Sequence, residues 1–221
     1  MYLLVLLLAL PALATIEIEL AGETRVLTAV HDGDVATTMV GGAAGRWRTA
    51  TAGGEAGPAL LADRPAEERA RPAWSVRWAV PVTPGAGGDA PAGRLPEGVS
   101  AVVHAPTPTG EPLGLPALLL ASFPLSPDRR HAAPGPLTDF LLEQAAGVYA
   151  RLLPGLAPGP GLLELVPGPL AAGELDAKRP AFAVELFVYE DGVINHEADA
   201  ARDFSGLQFA IHLIMHGQRG M

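Results

Sequence analysis

Apolar residues run without a break from Tyr2 to Leu10 (YLLVLLLAL) before Pro11 interrupts them. A run with no polar face predicts a helix buried on all sides, and Pro11 ends it because proline cannot continue the hydrogen-bond ladder. The pattern then switches to period two. Thr15 to Leu20 (TIEIEL) alternates apolar and acidic side chains, which predicts a strand with one wet face. Arg25 to Val30 is expected to pair with it through the Ala21-Gly22-Glu23 turn. Arg46 to Thr51 (RWRTAT) alternates again, with Trp47 inward and Arg46 and Arg48 outward. One helix and three or four antiparallel strands cannot cover both faces of a sheet, so this block reads as part of a larger layered unit.

Leu60 to Arg71 is a polar connector with a short helical turn at Ala66 to Ala70. Trp74 to Val82 (WSVRWAVPV) is the clearest strand, with Trp74, Val76, Trp78 and Val80 on one face. Pro84 to Gly98, rich in glycine and proline, reads as a flexible surface loop. Val99 to Val103 resumes a strand, and Leu115 to Leu125 holds another apolar segment. Leu137 to Leu153 predicts a helix, with Pro136 near its first turn and Thr138 or Asp139 available as a cap. Leu141, Leu142, Ala145, Val148, Tyr149 and Leu152 fall at helical spacing on its core face, and Pro154-Gly155 stops it. A Gly/Pro-rich linker follows, around a short LLELV strand. From about Lys178 the character changes: Ala183 to Tyr189 alternates as a strand, Glu190-Asp191-Gly192 turns, and Asp203 to His216 predicts a helix.

Composition narrows the function classes. A formal charge of -9 argues against a nucleic-acid groove, which needs a dense cationic face. The absence of cysteine excludes disulfides, thiolate catalysis and cysteine zinc sites, and fits a reducing, cytoplasmic compartment. The apolar opening has three readings. As a signal peptide it lacks a positive flank, because no Lys or Arg precedes Arg25. As a membrane span it falls short of the roughly 20 residues a bilayer needs. The third reading is an internal helix buried on all sides.

Several constellations invite chemistry. Asp32-Gly33-Asp34 with Gly41-Gly42 and Gly45 lacks the spacing of a phosphate-cradling loop and reads as hairpin turns. His212 and His216 would share a helix face as metal ligands do, with His196-Glu197 as further donors. The glutamate of an HExxH motif is missing between them, which favours surface histidines and no metal site. Glu67-Glu68 and Glu190-Asp191 sit in polar turns as solvated carboxylates. Ser122 and Ser126 lie near His104 and His131 in sequence, without the strained GxSxG turn of a serine hydrolase. No catalytic residue is assigned. Arg129-Arg130-His131 is the most distinctive cluster: guanidinium groups at a strand end can clamp a phosphate bidentately, against the plainer reading of a solvated corner paired with Asp128.

The phrases LLALPALATIEIEL, RWRTATAG, ALLADRPAEERARPAWSVRWAVPV, VVHAPTPTGEPLGLPALLLASFPLSPDRRHAAPGPLTDFLLEQAAGVYARLLPGL and GPLAAGELDA carry a family resemblance. Together they resemble the interior of large actinobacterial proteins with a sacsin-type N-terminal ATP-binding domain, related to the ninety-kilodalton heat-shock chaperones and the GHKL ATPases. The resemblance implies an α+β chain: a partial α/β sandwich, formed by a terminal helix and strands, followed by a mixed-sheet α/β middle domain. Residues 1–56 would close an ATP-binding domain, 57–177 would form the middle-like domain, and 178–221 form a divergent tail where the resemblance fades. The family's nucleotide-binding motifs lie upstream, so the opening helix would pack on a sheet outside this chain. ATP and magnesium are implied for the full-length family and none for this chain. Arg129 or Arg130 would be the phosphate-contact candidate. Partners would be the missing ATP-binding elements or a partner protein, and a client protein, with no nucleic acid and no membrane. Two rivals stand beside this: an interaction module docking through its apolar first helix, and a metal-dependent enzyme using His196, His212 and His216.

Overall fold

Five strands follow the first helix as an antiparallel meander. In the computed structural model, which describes residues 2–166 and the backbone of three later strands, α1 spans Tyr2–Ala9. The meander comprises β1 (Thr15–Leu20), β2 (Glu23–Asp32), β3 (Val35–Val40), β4 (Ala43–Glu55) and β5 (Ala73–Gly85). A short helical turn, α2 (Ala66–Arg69), lies between β4 and β5. Four more strands complete the sheet: β6 (Gly88–Pro91), β7 (Val102–Ala105), β8 (Thr107–Pro112) and β9 (Leu118–Ala121). The order is β1-β2-β3-β4-β5-β9-β7-β8, with β6 paired to β5. All neighbours are antiparallel except β7 and β9, which run parallel. A long helix, α3 (Pro136–Leu152), and a single turn, α4 (Pro160–Leu163), follow. The backbones of β10 (Phe182–Glu190), β11 (Val193–Asn195) and β12 (Gln208–Met215) form a separate three-stranded sheet. The architecture is α+β with a mixed sheet.

Register decides which side chains meet which helix. Ala36 lies opposite Trp47, and Leu119 opposite Trp78. Leu27, Ala29, Ala36, Trp47, Ala79, Leu118 and Leu120 bury one face beneath α1, whose Leu4, Val5, Leu7 and Leu8 are all 3% exposed or less. Val76, Trp78, Val80, Val82 and Leu119 bury the other face beneath Leu141, Ala145, Val148, Tyr149 and Leu152 of α3. Strand β5 is therefore sheltered on both sides, which is why WAVPV reads as a continuous apolar run. Each α1 leucine contributes about 1.5–3 kcal/mol by leaving water. The layer that shelters α1 is thus supplied by this chain's own strands, which corrects the expectation of a sheet outside it. The anticipated division at residues 56–57 falls in the link between β4 and β5, neighbouring strands paired from Arg46↔Val82 to Glu55↔Ala73.

Polar groups lock both helices. The last carbonyls of a helix have no intrahelical donor. Here the His31 Nε2–H donates to the Leu7 carbonyl at 3.0 Å and an Arg77 Nη1–H to the Leu8 carbonyl at 3.1 Å. On the opposite face the Trp78 indole donates to the Ala145 carbonyl at 2.8 Å, and the Tyr149 hydroxyl donates to the Leu165 carbonyl. Helix α3 starts at Gly135, where φ is 147° and a Cβ would approach the Asp63 carboxylate to 2.6 Å, so only glycine fits. Neither anticipated cap serves there: Thr138 instead donates its hydroxyl back to the Ala133 carbonyl at 2.5 Å.

Several expectations are corrected. Pro84–Gly98 is not wholly loop, because Gly88–Pro91 folds back on β5 through a two-residue turn. Strand β8 was not anticipated; TPTGEP lacks alternation, and its pairing with β7 across a register shift orders it. LLELV is no strand: its first residues end α4. The helix expected over Asp203–His216 is replaced over Gln208–Met215 by β12, paired with β10 from Phe182↔Met215 onward. The turn at Asp191-Gly192 lies outside the described residues. Among the described residues no helix is long and apolar enough to cross a membrane.

Candidate functional site

The basic corner forms because its main chain folds on itself. Leu125 bridges Ala132, and the Ser126 amide donates to the His131 carbonyl at 2.9 Å. Inside that loop the Ser126 hydroxyl donates to Asp128 at 2.6 Å, and the Arg130 amide donates to the same carboxylate oxygen at 3.0 Å. The Ser126 hydroxyl, then the Arg130 amide, hold the Asp128 carboxyl below its ordinary value of 3.8. Arg129 closes the turn at φ 58°, a left-handed conformation unusual for a side-chain-bearing residue.

Strand β8 straps this loop to the sheet. The Gly110 amide donates to the Arg130 carbonyl at 2.5 Å, an approach that leaves little room for a Cβ, which would lie 3.2 Å from that oxygen. Next to it, Glu111 is only 6% exposed. Its Oε1 accepts from the Ala132 amide at 3.3 Å and stands 3.2 Å from His131 Nδ1. A carboxylate so buried needs such donors. The Thr109 hydroxyl completes the support, donating to the Val103 carbonyl at 2.8 Å and accepting from the Glu111 amide at 3.1 Å.

The guanidinium groups of Arg129 and Arg130 project from this scaffold into solvent and make no salt bridge among the described residues. Asp128 binds the main chain of Arg130 rather than its guanidinium. The corner therefore has the chemistry of an exposed anion contact: two cations on a braced turn, with Asp128 near Arg130 but no salt bridge to either guanidinium among the described residues.

The other sequence candidates are scattered. The Ser122 hydroxyl accepts from the Ser75 amide at 3.0 Å and so belongs to the β5 edge. Ser126 engages Asp128 and the main chain of His131, and neither serine bonds an imidazole. His104 is buried on β7, its Nδ1 has no partner, and desolvation holds its pKa below 6.5. Asp32-Gly33-Asp34 forms the β2–β3 turn. His212 lies on β12 rather than on a helix, and His196 and His216 lie outside the described residues. Among the described residues no group of three His, Asp or Glu side chains can hold a metal ion.

A second polar cluster was not singled out from sequence. Arg46 forks onto Asp89, with Nε and Nη2 donating to its two oxygens at 2.8 and 3.1 Å. Arg48 reaches Asp34 at 2.6 Å and Asp89 at 3.8 Å. Of these, Arg48 and Asp34, with Arg151 and Leu152 at the end of α3 and Gly155 just beyond it, border an open cleft of about 260 Å³. Outward alternation of Arg46 and Arg48 was readable; Asp89 and Arg151, far away in sequence, were not.

Comparison of the chain with protein-family profiles, with curated proteins and with solved structures gives no match.

Proposed function

We propose that this chain belongs to a sacsin-like, chaperone-type ATP-binding protein and supplies a sheet scaffold rather than the nucleotide pocket. The observation that carries this reading is the series of phrases from LLALPALATIEIEL to GPLAAGELDA, in a chain without a glycine-rich phosphate loop. The α+β build, with helices on opposite faces of a mixed sheet, is compatible with it. On this reading ATP and magnesium are held by elements outside the chain, the protein works in the cytoplasm on a client protein, and Arg129 or Arg130 contacts phosphate. The braced, exposed geometry of that corner favours such a contact.

Isothermal titration with ATP and magnesium tests the reading. The expected result is no binding in the micromolar range; micromolar binding to this chain alone overturns it. Docking through α1 is the weaker alternative, because Leu4, Val5, Leu7 and Leu8 are already spent on the chain's own sheet.

A further inference from the structure

Strand β4 is longer than the neighbour that covers it. Its pairing with β3 runs from Val40↔Ala43 to Val35↔Arg48, and the last bond on that side passes from the Thr49 amide to the Asp34 carbonyl at 2.6 Å. In an antiparallel ladder alternate residues address opposite edges. Thr49 addresses the β3 side, so Thr51, Gly53 and Glu55 do too, while Ala56 donates to Pro72 on the β5 side. Past Asp34 no strand among the described residues follows this edge, and Thr51, Gly53 and Glu55 are all exposed. Among the described residues a central strand therefore presents main-chain donors and acceptors without a partner, which is a template for another extended chain.

The uncovered stretch ends at the arginine-lined cleft. A chain laid antiparallel to β4 would continue the line of β3, entering beside Glu55 and finishing beside Thr51, against the Gly33-Asp34 turn. Its last residue would then lie next to Arg48 and Arg151. Arg48 and Arg46 share Asp34 and Asp89, whereas Arg151 is exposed and makes no salt bridge among the described residues. Two guanidinium groups, Arg48 and Arg151, against the one carboxylate of Asp34 leave the cleft with an excess of positive charge. That combination suits the terminal carboxylate of an added strand, since main-chain bonds give affinity and the charge fixes the end point.

We propose that the uncovered half of β4 binds the extended C-terminal segment of another protein by strand addition, with its α-carboxylate held by Arg151 and Arg48. The test pans the full chain against random seven-residue peptides displayed with free C-termini. Recovered sequences are then synthesised as acids and as amides, and their binding is followed by fluorescence anisotropy. The acids should bind at least ten-fold more tightly than the amides. Arg151→Glu should weaken the acids at least ten-fold and leave the amides unchanged. Thr51→Pro, which removes an edge donor without touching the β5 ladder, should weaken both forms while circular dichroism and the urea midpoint stay the same. A library that returns no binder, or binders indifferent to amidation and to Arg151→Glu, overturns the proposal. ATP takes no part in these measurements, so their outcome is separate from that of the nucleotide titration.

Discussion

Arg77, in the middle of β5, donates from Nη1 to the carbonyl oxygen of Leu8 at the end of α1, 3.1 Å away. The bond joins β5 to the apolar helix α1, and burial of the guanidinium lowers its pKa below the ordinary arginine range. A charged donor is well matched to helix-end carbonyls carrying partial negative charge. Arg77→Ala strands the Leu8 carbonyl and should cost about 2 kcal/mol. Urea unfolding reads this as a lower midpoint with unchanged slope; an unchanged midpoint would show that the bond contributes nothing net.

Leu8 itself tests whether α1 is integral to the core. It is fully buried between Trp47, Ala79 and Leu118 in the same cluster. Leu8→Ala should destabilise by about 2–5 kcal/mol, as removing a core leucine does elsewhere. If α1 were only loosely laid on the sheet, the loss would stay below about 1 kcal/mol.

His104 makes stability depend on pH. Desolvation holds its folded-state pKa below the ordinary 6.5, and its Nδ1 has no partner to accept a proton's charge. The unfolded chain therefore binds the proton more readily than the folded one. Its contribution is present in full above 6.5 and is lost as pH falls below that value toward the folded pKa. His104→Leu should shrink the drop in urea midpoint between pH 7.5 and 5.5. An equal drop in the variant would assign the acid sensitivity to other groups.

Glu111 governs the basic corner. Glu111→Ala deprives the Ala132 amide and the His131 imidazole of their acceptor, and should cost about 1–3 kcal/mol. Limited trypsin digestion after Arg129 and Arg130 should speed up in this variant. Cleavage at the unaltered rate would mean that the Gly110–Arg130 bond braces the turn by itself.

The contrast between β4 and β8 explains what could be read from the chain beforehand. Trp47 between two arginines announces an inward residue on a two-faced strand, and the spacing of Leu141, Ala145, Val148 and Leu152 announces the buried face of α3. In both cases the local pattern and the tertiary environment agree. TPTGEP carries no such pattern, because β8 is held by main-chain pairing and by a loop twenty residues later in sequence. Glu111 is therefore silent in the sequence although it is the buried acid of the corner. The run that forms β12 likewise suited a helix until pairing with β10 imposed an extended form, since short apolar runs satisfy either period. Arg129 and Arg130 were visible as a pair; that their support comes from Gly110 and Glu111 was not.

The position of β9 has a consequence for the order of assembly on the ribosome. It lies between β5 and β7, both of which emerge earlier, and the β7–β8 hairpin reaches the rest of the sheet only through it. Until Leu118–Ala121 leaves the exit tunnel, the Val76–Ala79 stretch of β5 lacks its second neighbour and the hairpin has nowhere to dock. Sheet completion is thereby deferred to a four-residue apolar insert, and α3, the next helix to appear, can seal its face only after that insertion.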